Sequence, residues 1–441
     1  MASALFAACL ALGAGAAPDI AIPHEKYTLA QNGLEVILSE DHALPIVAVD
    51  IWYHAGPVNE PPGRTGFAHL FEHLMFQGSK NVADSKLFQL LDGNGASIVN
   101  GSTDFDRTNY FETMPSNQLP LVLWLESDRM GFLLDTLTQA KLDNQRSVVM
   151  NERRQSVENE PYGPSDEALM HTLFPPGHPY YGNVIGSMDD LAAATLNDVR
   201  DFYTRYYAPA NATLAIVGDI DKAATKELVA RYFGTLASRP PPSPASVTTP
   251  PLTAERRVVV KEPVQLPRIA HAWMSPPAFK PGDAEADVLA FILGAGRSSR
   301  LYQRLVQELE LAQSVSAQQQ SLALTSVFYV TLVGRPGIDL ARLEAEADKV
   351  VAELQQTPPT AREIERARNM LVTMTVGALQ NIGGFGGKAD TLNRYNQYIG
   401  DPGYLAKDLA RYEAVTPAAI QSLAKTLLGR EQRATVITVQ P

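Results

Sequence analysis

A stretch of prolines and small polar residues, Arg239 to Thr253 (RPPPSPASVTTPPLT), divides the chain into two parts of similar length. Proline-rich sequence without apolar periodicity is typical of an extended linker. A chain of 441 residues is too long for one compact core, whereas 24–238 and 254–441 are each of ordinary domain size. We therefore predict two domains joined by a linker at 239–253 and preceded by a leader at 1–23.

The two parts also share a short sequence pattern. The segment LEVILSEDHALPIVAVDIW follows Gly33, and the segment ERRVVVKEPVQLPRIAHAW follows Ala254. Both alternate apolar and polar residues, as β-strands do. In a gap-free alignment Glu40, Leu44, Pro45 and Ala48 match Glu262, Leu266, Pro267 and Ala270. These identities hint at an internal duplication without proving it.

Helical patterns are interspersed with the strands. Leu119–Leu134 is strongly apolar and predicts a largely buried helix, while Asp143–Glu158 predicts a long polar helix. Thr213–Val217 predicts a short buried strand. Because strands often follow one another directly between long helices, we predict an α+β fold. It would contain two similar domains, each a mainly antiparallel sheet covered by helices.

The overall charge excludes one class of function. The net charge is −11, from 48 acidic and 37 basic side chains, so the chain offers no field that attracts phosphate groups. We predict no nucleic-acid partner. After the N-terminal segment, no apolar run approaches the length that a membrane-spanning helix needs, and we predict no membrane span.

The N-terminal segment Ala2–Ala17 (ASALFAACLALGAGAA) is uncharged and ends in small residues before Pro18. It is too short to span a membrane and predicts a secretory signal peptide, and hence a periplasmic or secreted protein. It lacks the usual basic start, so the alternative is a disordered apolar extension. Cys9, the only cysteine of the chain, lies in this segment, and a form cleaved after it has no disulfide. Lipidation of Cys9 is the less favoured alternative.

The strongest motif is His69-Leu-Phe-Glu72-His73. On a helix, residues three and four apart lie on one face, so both imidazoles can reach one metal ion and Glu72 lies beside them. Such a metal lowers the pKa of a bound water, and a carboxylate can then take its proton. The pattern therefore predicts a hydrolytic zinc site with Glu72 as the general base. The alternative is two surface histidines on an amphipathic helix.

A catalytic zinc site requires a third protein ligand and an open position for water. The segment QRSVVMNERR contains Glu152, on the same helical side as Val148 and Val149. Glu158 and Glu160 follow closely. Spacing alone leaves all three carboxylates open as the third ligand.

Three longer stretches carry a family resemblance: GFAHLFEHLMFQGS from Gly66, VVMNERRQSVENEPYG, and YYAPANATLAIVGD. They closely resemble the pitrilysin family of inverted-motif (H-x-x-E-H) zinc peptidases, which includes mitochondrial processing peptidase and insulin-degrading enzyme. The resemblance extends over about residues 25 to 441. It implies His69, His73 and Glu152 as the ligands of one Zn²⁺ and Glu72 as the base.

The resemblance also implies how substrate binds. Two similar α+β domains form half of a clam shell, and peptide substrates are captured between two halves. The segment Asn100–Thr103 would be an edge strand that pairs with the peptide backbone, which makes Asn100 a candidate substrate contact. The alternative for Asn100 is a turn residue next to Gly101.

Two positions depart from the family pattern. Many active members carry an Arg and a Tyr in the second domain that bind substrate near the zinc, and here these positions are Val306 and Gln313. Neither side chain can act as a cationic clamp or a phenolic donor, so the tetrahedral intermediate would be poorly stabilised. Gln145 also replaces an acidic residue that relatives often have. We therefore predict a heterodimer with a homologous subunit that supplies the Arg/Tyr pair, with a homodimer as the alternative.

Two functional hypotheses follow. The first is a zinc endopeptidase that cleaves unfolded peptides as the zinc-bearing subunit of a dimer. The second is a non-catalytic assembly or peptide-binding subunit. The glycine-rich segment Ile382–Lys388 lacks the Ser or Thr after the Lys and the preceding strand of a phosphate loop. We interpret it as a flexible loop rather than a nucleotide site.

Overall fold

The structure is a computed structural model that describes residues 20–441. The predicted signal segment and Cys9 lie outside this range. The described chain forms two β-sheets with helices, as the predicted α+β fold requires. Within 20–441, no helix combines the length and the apolarity that crossing a bilayer requires.

The first sheet has six strands in the spatial order β1-β2-β6-β3-β5-β4. They are β1 Glu25–Thr28, β2 Glu35–Glu40, β3 Ile46–Tyr53, β4 Ile98–Asp104, β5 Arg107–Pro115 and β6 Ala212–Gly218. β2 and β6 are parallel and the other neighbours are antiparallel. β4 is therefore an edge strand, hydrogen-bonded to β5 on one side only.

The second sheet has five strands in the order β7-β11-β8-β10-β9. They are β7 Arg256–Lys261, β8 Arg268–Ser275, β9 Ala312–Gln320, β10 Ser326–Gly334 and β11 Ala434–Val439. β7 and β11 are parallel and the other neighbours are antiparallel. This sheet therefore repeats the arrangement β2-β6-β3-β5-β4 of the first sheet. The edge strand β9 takes the place of β4.

Fourteen α-helices accompany the sheets in the described part of the chain. The first eight are α1 Phe67–Leu74, α2 Lys86–Gly93, α3 Leu119–Phe132, α4 Gln139–Arg153, α5 Gly163–Leu173, α6 Met188–Ala193, α7 Leu196–Tyr206 and α8 Lys222–Phe233. The others are α9 Asp283–Gly294, α10 Leu340–Gln356, α11 Ala361–Ala378, α12 Lys388–Ile399, α13 Leu405–Ala414 and α14 Pro417–Leu427. The predicted polar helix is α4, which continues into a π-helical segment that ends at Glu158.

The predicted duplication is confirmed by the spacing of these elements. β8 begins 222 residues after β3, at 268 and 46, and the same interval separates α11 from α4 (361 and 139) and β11 from β6 (434 and 212). The gap-free match of Pro45 with Pro267 has this interval too. The two halves therefore share one topology with almost no net insertion.

The two halves exchange one helix each. α12, from the second half, covers the face of the first sheet that is opposite to α1, where Ala389, Leu392 and Tyr395 pack on Ala48 and Val217. In return, α5 from the first half covers the second sheet, and Leu169 and Leu173 pack on Ala270, Ala272 and Val436. The linker at 239–253 therefore separates the halves along the chain, but packing joins them into one unit.

The glycine-rich segment leads from α11 into α12 and packs on the first sheet. The ring of Phe385 lies edge-on to that of Phe111, with centroids 4.9 Å apart. Lys388 begins α12 and its ammonium pairs with Asp41. The loop therefore contacts the first half at both points, and its flexibility stays a prediction.

Candidate metal centre

Helix α1 has one apolar face and one polar face. Its apolar side chains lie in the core of the first sheet: Phe67, Leu70, Phe71 and Leu74. The ring of Phe71 packs 4.2 Å from that of Tyr207. His69, Glu72 and His73 remain on the opposite, partly accessible face, as the predicted helical spacing requires.

The start of α1 is held by two carboxylates. Glu60 accepts hydrogen bonds from the backbone N–H groups of Gly66 and Ala68, at 3.0 and 2.7 Å. Asp190 accepts from the backbone N–H and the hydroxyl of Thr65, at 3.0 and 2.6 Å. These carboxyl oxygens satisfy backbone N–H groups at and just before the helix N-terminus that would otherwise have no partner. These contacts fix the axis of α1 and hence the direction of its histidines.

Helix α4 packs against α1 and brings a third side chain to the histidines. Glu152 Oε2 lies 3.1 Å from His73 Nε2, and Glu152 Oε1 lies 3.5 Å from His69 Nε2. One nitrogen or oxygen atom from each residue lies within 4.8 Å of the other two. In the described part of the chain, this is the one cluster of three or more His, Cys, Asp or Glu side chains close enough to share a metal ion.

The protonation states suit a metal site. Burial lowers the pKa of His69 to about 4, so its imidazole is neutral at pH 7 and keeps a lone pair. Its contact with Glu152 is therefore not an ion pair. The hydrogen bond from His73 lowers the pKa of Glu152, so that carboxylate stays ionised. Neutral imidazole and ionised carboxylate are the forms that bind zinc.

The donor set fits a catalytic zinc ion. Two imidazole nitrogens and one carboxylate are the three protein ligands of a hydrolytic zinc site, and the fourth position is left for water or substrate. The side chain of Glu152 is 40% exposed and the side chains of His69 and His73 are 13% and 23% exposed, so the cluster opens to solvent on one side. A peptide could approach it from there.

Glu72 is placed beside the cluster and contacts the edge strand β4. Its Oε2 accepts a hydrogen bond from the Thr103 hydroxyl at 2.6 Å. Burial raises the pKa of Glu72. In the sequence, Thr103 is recognisable only as the end of a predicted strand segment. The period-2 alternation of strands, which puts Thr103 on the same face as Gly101, was the available signal.

The other candidate residues lie away from the cluster. Glu158 and Glu160 are exposed, and Glu158 lies 3.6 Å from Arg153, so neither reaches the histidines. Asn100 is exposed on β4, where its side-chain oxygen accepts from the backbone N–H of Gly101 at 2.9 Å. Gln145 is buried on α4, two turns before Glu152.

The two departures from the family pattern lie in the second half. Val306 is half-buried in a π-helical segment, Tyr302–Glu308, and packs on the second core. Gln313 is exposed on the edge strand β9. At the two positions where the family resemblance implies an Arg and a Tyr, this half therefore has an apolar side chain and an amide.

The other histidines of residues 20–441 do not join a metal cluster. His271 and His54 are hydrogen-bonded to the hydroxyls of Thr435 and Thr213, at 2.9 and 3.1 Å. His178 is hydrogen-bonded to Thr249 at 2.8 Å. Such paired histidines have structural roles.

Two models of known domain families match the chain. The model described as "Insulinase (Peptidase family M16)" matches residues 35–176, which contain His69, Glu72, His73 and Glu152. The model described as "Peptidase M16 inactive domain" matches residues 193–371, which extend from the end of α6 in the first half, through the linker, into α11 of the second half. The two matches therefore divide the chain into a part with the ligand cluster and a part without it.

Whole-chain relatives agree with these matches. The zinc protease PqqE of Helicobacter pylori is 32% identical over 350 residues, covering 78% of this chain and 78% of that protein. The crystal structure of a protease from Helicobacter pylori superimposes with a TM-score of 0.87 at 28% identity, covering 95% of this chain and 99% of that one. The periplasmic protease PqqL of Escherichia coli has a TM-score of 0.77 at 20% identity, and the match covers 48% of its chain. That likeness shows the shared fold, which PqqL contains as about half of its length.

Proposed function

This chain belongs to the M16 (insulinase) peptidase family, and on that premise we propose that it is a zinc endopeptidase that hydrolyses unfolded peptides. The observation that carries the proposal is the convergence of His69, His73 and Glu152 from two helices on one point. Relatives that are named zinc proteases support the choice of metal and of reaction.

The proposed chemistry divides the work among a few side chains. His69, His73 and Glu152 would hold Zn²⁺, which supplies Lewis acidity toward a water molecule and a carbonyl oxygen when bound. Glu72, on the same face of α1, would accept the proton of the attacking water and pass it to the leaving amine. Its Oε2 is occupied by Thr103, which leaves Oε1 for the proton.

Peptide would bind along the edge strand β4. Its outer backbone groups have no strand partner in the described chain, and its Gly101 and Thr103 lie next to Glu72. Main-chain pairing with an extended peptide gives affinity with few demands on sequence. Asn100, exposed on this strand, is the side chain that we assign to substrate contact.

We further propose that the active form is a dimer in the periplasm or outside the cell. Val306 and Gln313 cannot bind and polarise substrate as Arg and Tyr do, so a homologous partner would supply that pair. A homodimer is the alternative arrangement. The signal-like segment Ala2–Ala17 and the periplasmic relative PqqL support the location.

A second candidate function is a peptide-binding subunit without catalysis. The observation in its favour is the half-buried Val306 and the amide Gln313 at the two substrate-binding positions. A chain with this role would keep the ligand cluster and bind peptides along β4 but would not turn them over.

Cleavage of a mixed set of unstructured peptides by the purified, zinc-loaded chain tests these proposals. The chain is assayed alone and together with a homologous subunit that carries the Arg/Tyr pair and is encoded nearby. Activity only in the mixture, lost on Glu72→Gln, supports the split active site. Full activity of the chain alone excludes the obligate heterodimer, and peptide binding without cleavage in both samples favours the binding subunit.

A further inference from the structure

We propose that Thr103 is the positioning residue of the general base, and that the edge strand β4 orients Glu72 as well as pairing with the peptide. This inference rests on the proposed function, because it assigns a role within that reaction. The residue that orients Glu72 would then lie on a strand, outside the helix that carries the H-x-x-E-H motif. Strand β4 and helix α1 would together fix the orientation of the base.

Two residues of β4 contact Glu72 from the same face of the strand. The Thr103 hydroxyl donates to Glu72 Oε2 at 2.6 Å. Two positions earlier, Gly101 lies so close that a Cβ on it would be 3.1 Å from both Cγ and Oε1 of Glu72, and 3.2 Å from the ring of Phe76. The side chain of Glu72 therefore lies in a slot that has the strand as its wall and the threonine as its hydrogen-bond donor.

This hydrogen bond fixes which carboxylate oxygen is available. A carboxylate on a flexible side chain occupies several rotamers. A hydrogen bond to one oxygen restricts these rotamers before substrate binds, so less conformational entropy is lost during the reaction itself. With Oε2 bound to Thr103, Oε1 is the carboxylate oxygen that has no hydrogen-bond partner in the described chain, and we assign the proton to it. Thr103 does not touch the reacting atoms, so it acts through Glu72.

Strand β4 is itself anchored, which makes its threonine a fixed reference point. Asp106, in the turn after β4, accepts from the hydroxyls of Tyr180 and Tyr398 at 2.5 and 3.0 Å, and from the backbone N–H of Ala323 at 2.8 Å. Tyr398 is on α12 and Ala323 precedes β10, so both come from the second half. That half thereby holds the end of the strand that orients the base.

The other face of β4 is held by the neighbouring strand. The Ser102 hydroxyl donates to Asn109 Oδ1 at 2.6 Å, and the Arg107 guanidinium donates to Ser102 Oγ at 2.6 Å. Arg107 in turn stacks on the ring of Trp52, 4.9 Å from its centroid. A strand fixed on its inner edge and on both faces cannot move to compensate for the loss of the Thr103 hydroxyl.

The test compares Thr103→Val, which removes the hydroxyl at constant shape, with Thr103→Ser, which keeps it. We expect Thr103→Val to lower kcat by about 10- to 100-fold, the range typical of outer-shell hydrogen-bond partners at metal sites. KM, zinc content and melting temperature should stay at their wild-type values. Thr103→Ser should retain most of kcat. Ser97→Ala removes another hydroxyl, just before β4, that donates to a backbone carbonyl and not to Glu72, and serves as the matched control.

The outcomes separate this inference from the proposed function. Equal kcat in wild type and Thr103→Val, or equal losses in the Val and Ser variants, would overturn the positioning role and leave the peptidase intact. A wild type that cleaves nothing, either alone or mixed with the homologous subunit, would overturn the proposed function instead. In that case crystal structures of the zinc-loaded wild type and Thr103→Val still decide the point, because Glu72 in the same rotamer in both would rule out a role for Thr103.

Discussion

The two halves of the molecule have the same sheet order and nearly the same spacing of elements, yet they differ beneath their edge strands. In the first half, Gly101 of β4 leaves room for the side chain of Glu72 from α1. In the second half, α9 ends at Gly294, which touches the edge strand directly: a Cβ there would lie 2.1 Å from the backbone nitrogen of Ala317. Helix and strand are in contact at that point, so no side chain can enter between them.

The comparison indicates that this fold does not need the candidate metal cluster for its stability. The apolar face of α1 packs into the core, while His69, Glu72 and His73 lie on the opposite face and add little to that packing. The second half keeps the architecture with an apolar α9 and with the exposed Met374 at 222 residues after Glu152. The fold is therefore retained in the copy that has no such cluster among its described residues.

The largest expected effect is that of Glu72→Gln. The amide has the shape of the carboxylate but cannot accept the proton, so turnover should fall by about 10²- to 10⁴-fold. Zinc content, measured by elemental analysis, should be unchanged because Glu72 is not a ligand. Glu160→Gln is the control, since Glu160 is exposed and outside the cluster. Loss of zinc from the Glu72→Gln variant would contradict the role assigned to Glu72.

The next largest effect is on zinc affinity, and the prediction compares equivalent positions in the two halves. Glu152→Ala removes one of three proposed ligands and should weaken zinc binding by more than about 100-fold, since loss of an outer-sphere partner alone costs up to that factor. The measurement is competition with a chelating dye. Met374→Ala, at the equivalent place in the second half, should leave zinc affinity unchanged. If both substitutions weakened zinc binding equally, the ligand set would be wrong.

The sequence was sufficient to place the H-x-x-E-H motif on one face of a helix and to indicate the duplication, because both depend on spacing along the chain. His69, Glu72 and His73 lie within five residues, and Pro45 and Pro267 keep the same interval as the strands around them. Selecting Glu152 over Glu158 and Glu160 required either the family resemblance or the packing of α4 on α1. The role of Thr103 and the exchange of α5 and α12 arise from contacts between distant segments, which no local pattern encodes.

A smaller effect tests which chain supplies the Arg/Tyr pair. We expect the double substitution Val306→Arg and Gln313→Tyr to leave kcat/KM of the mixture with the homologous subunit unchanged, because the proposed partner would already supply the pair. Steady-state cleavage of one fluorogenic peptide measures it. A gain of about 10-fold in the chain alone, comparable to one restored charged hydrogen bond, would show that it forms a homodimer with an incomplete site. The single variant Gln313→Tyr, on the exposed strand, controls for the cost of burying Arg at 306.

The smallest effect is on the free energy of unfolding and comes from a residue of the second half. Zinc affinity should be unchanged. Burial alone would raise the pKa of Glu363, but hydrogen bonds from Arg300 and Thr360 outweigh it and hold the pKa to about 2. A folded-state pKa below the unfolded value gives stability that is present above about pH 4.5 and is lost as the pH falls toward 2. Because the pair is partly solvated, Glu363→Gln should cost about 1 kcal/mol of unfolding free energy at pH 7.

Urea titrations at pH 7 and pH 3 measure this cost, and the difference in unfolding free energy between variant and wild type should shrink at pH 3. A cost that stayed constant with pH would mean that Glu363 acts by packing rather than by charge, and a change in zinc affinity would mean that the halves are coupled at this point.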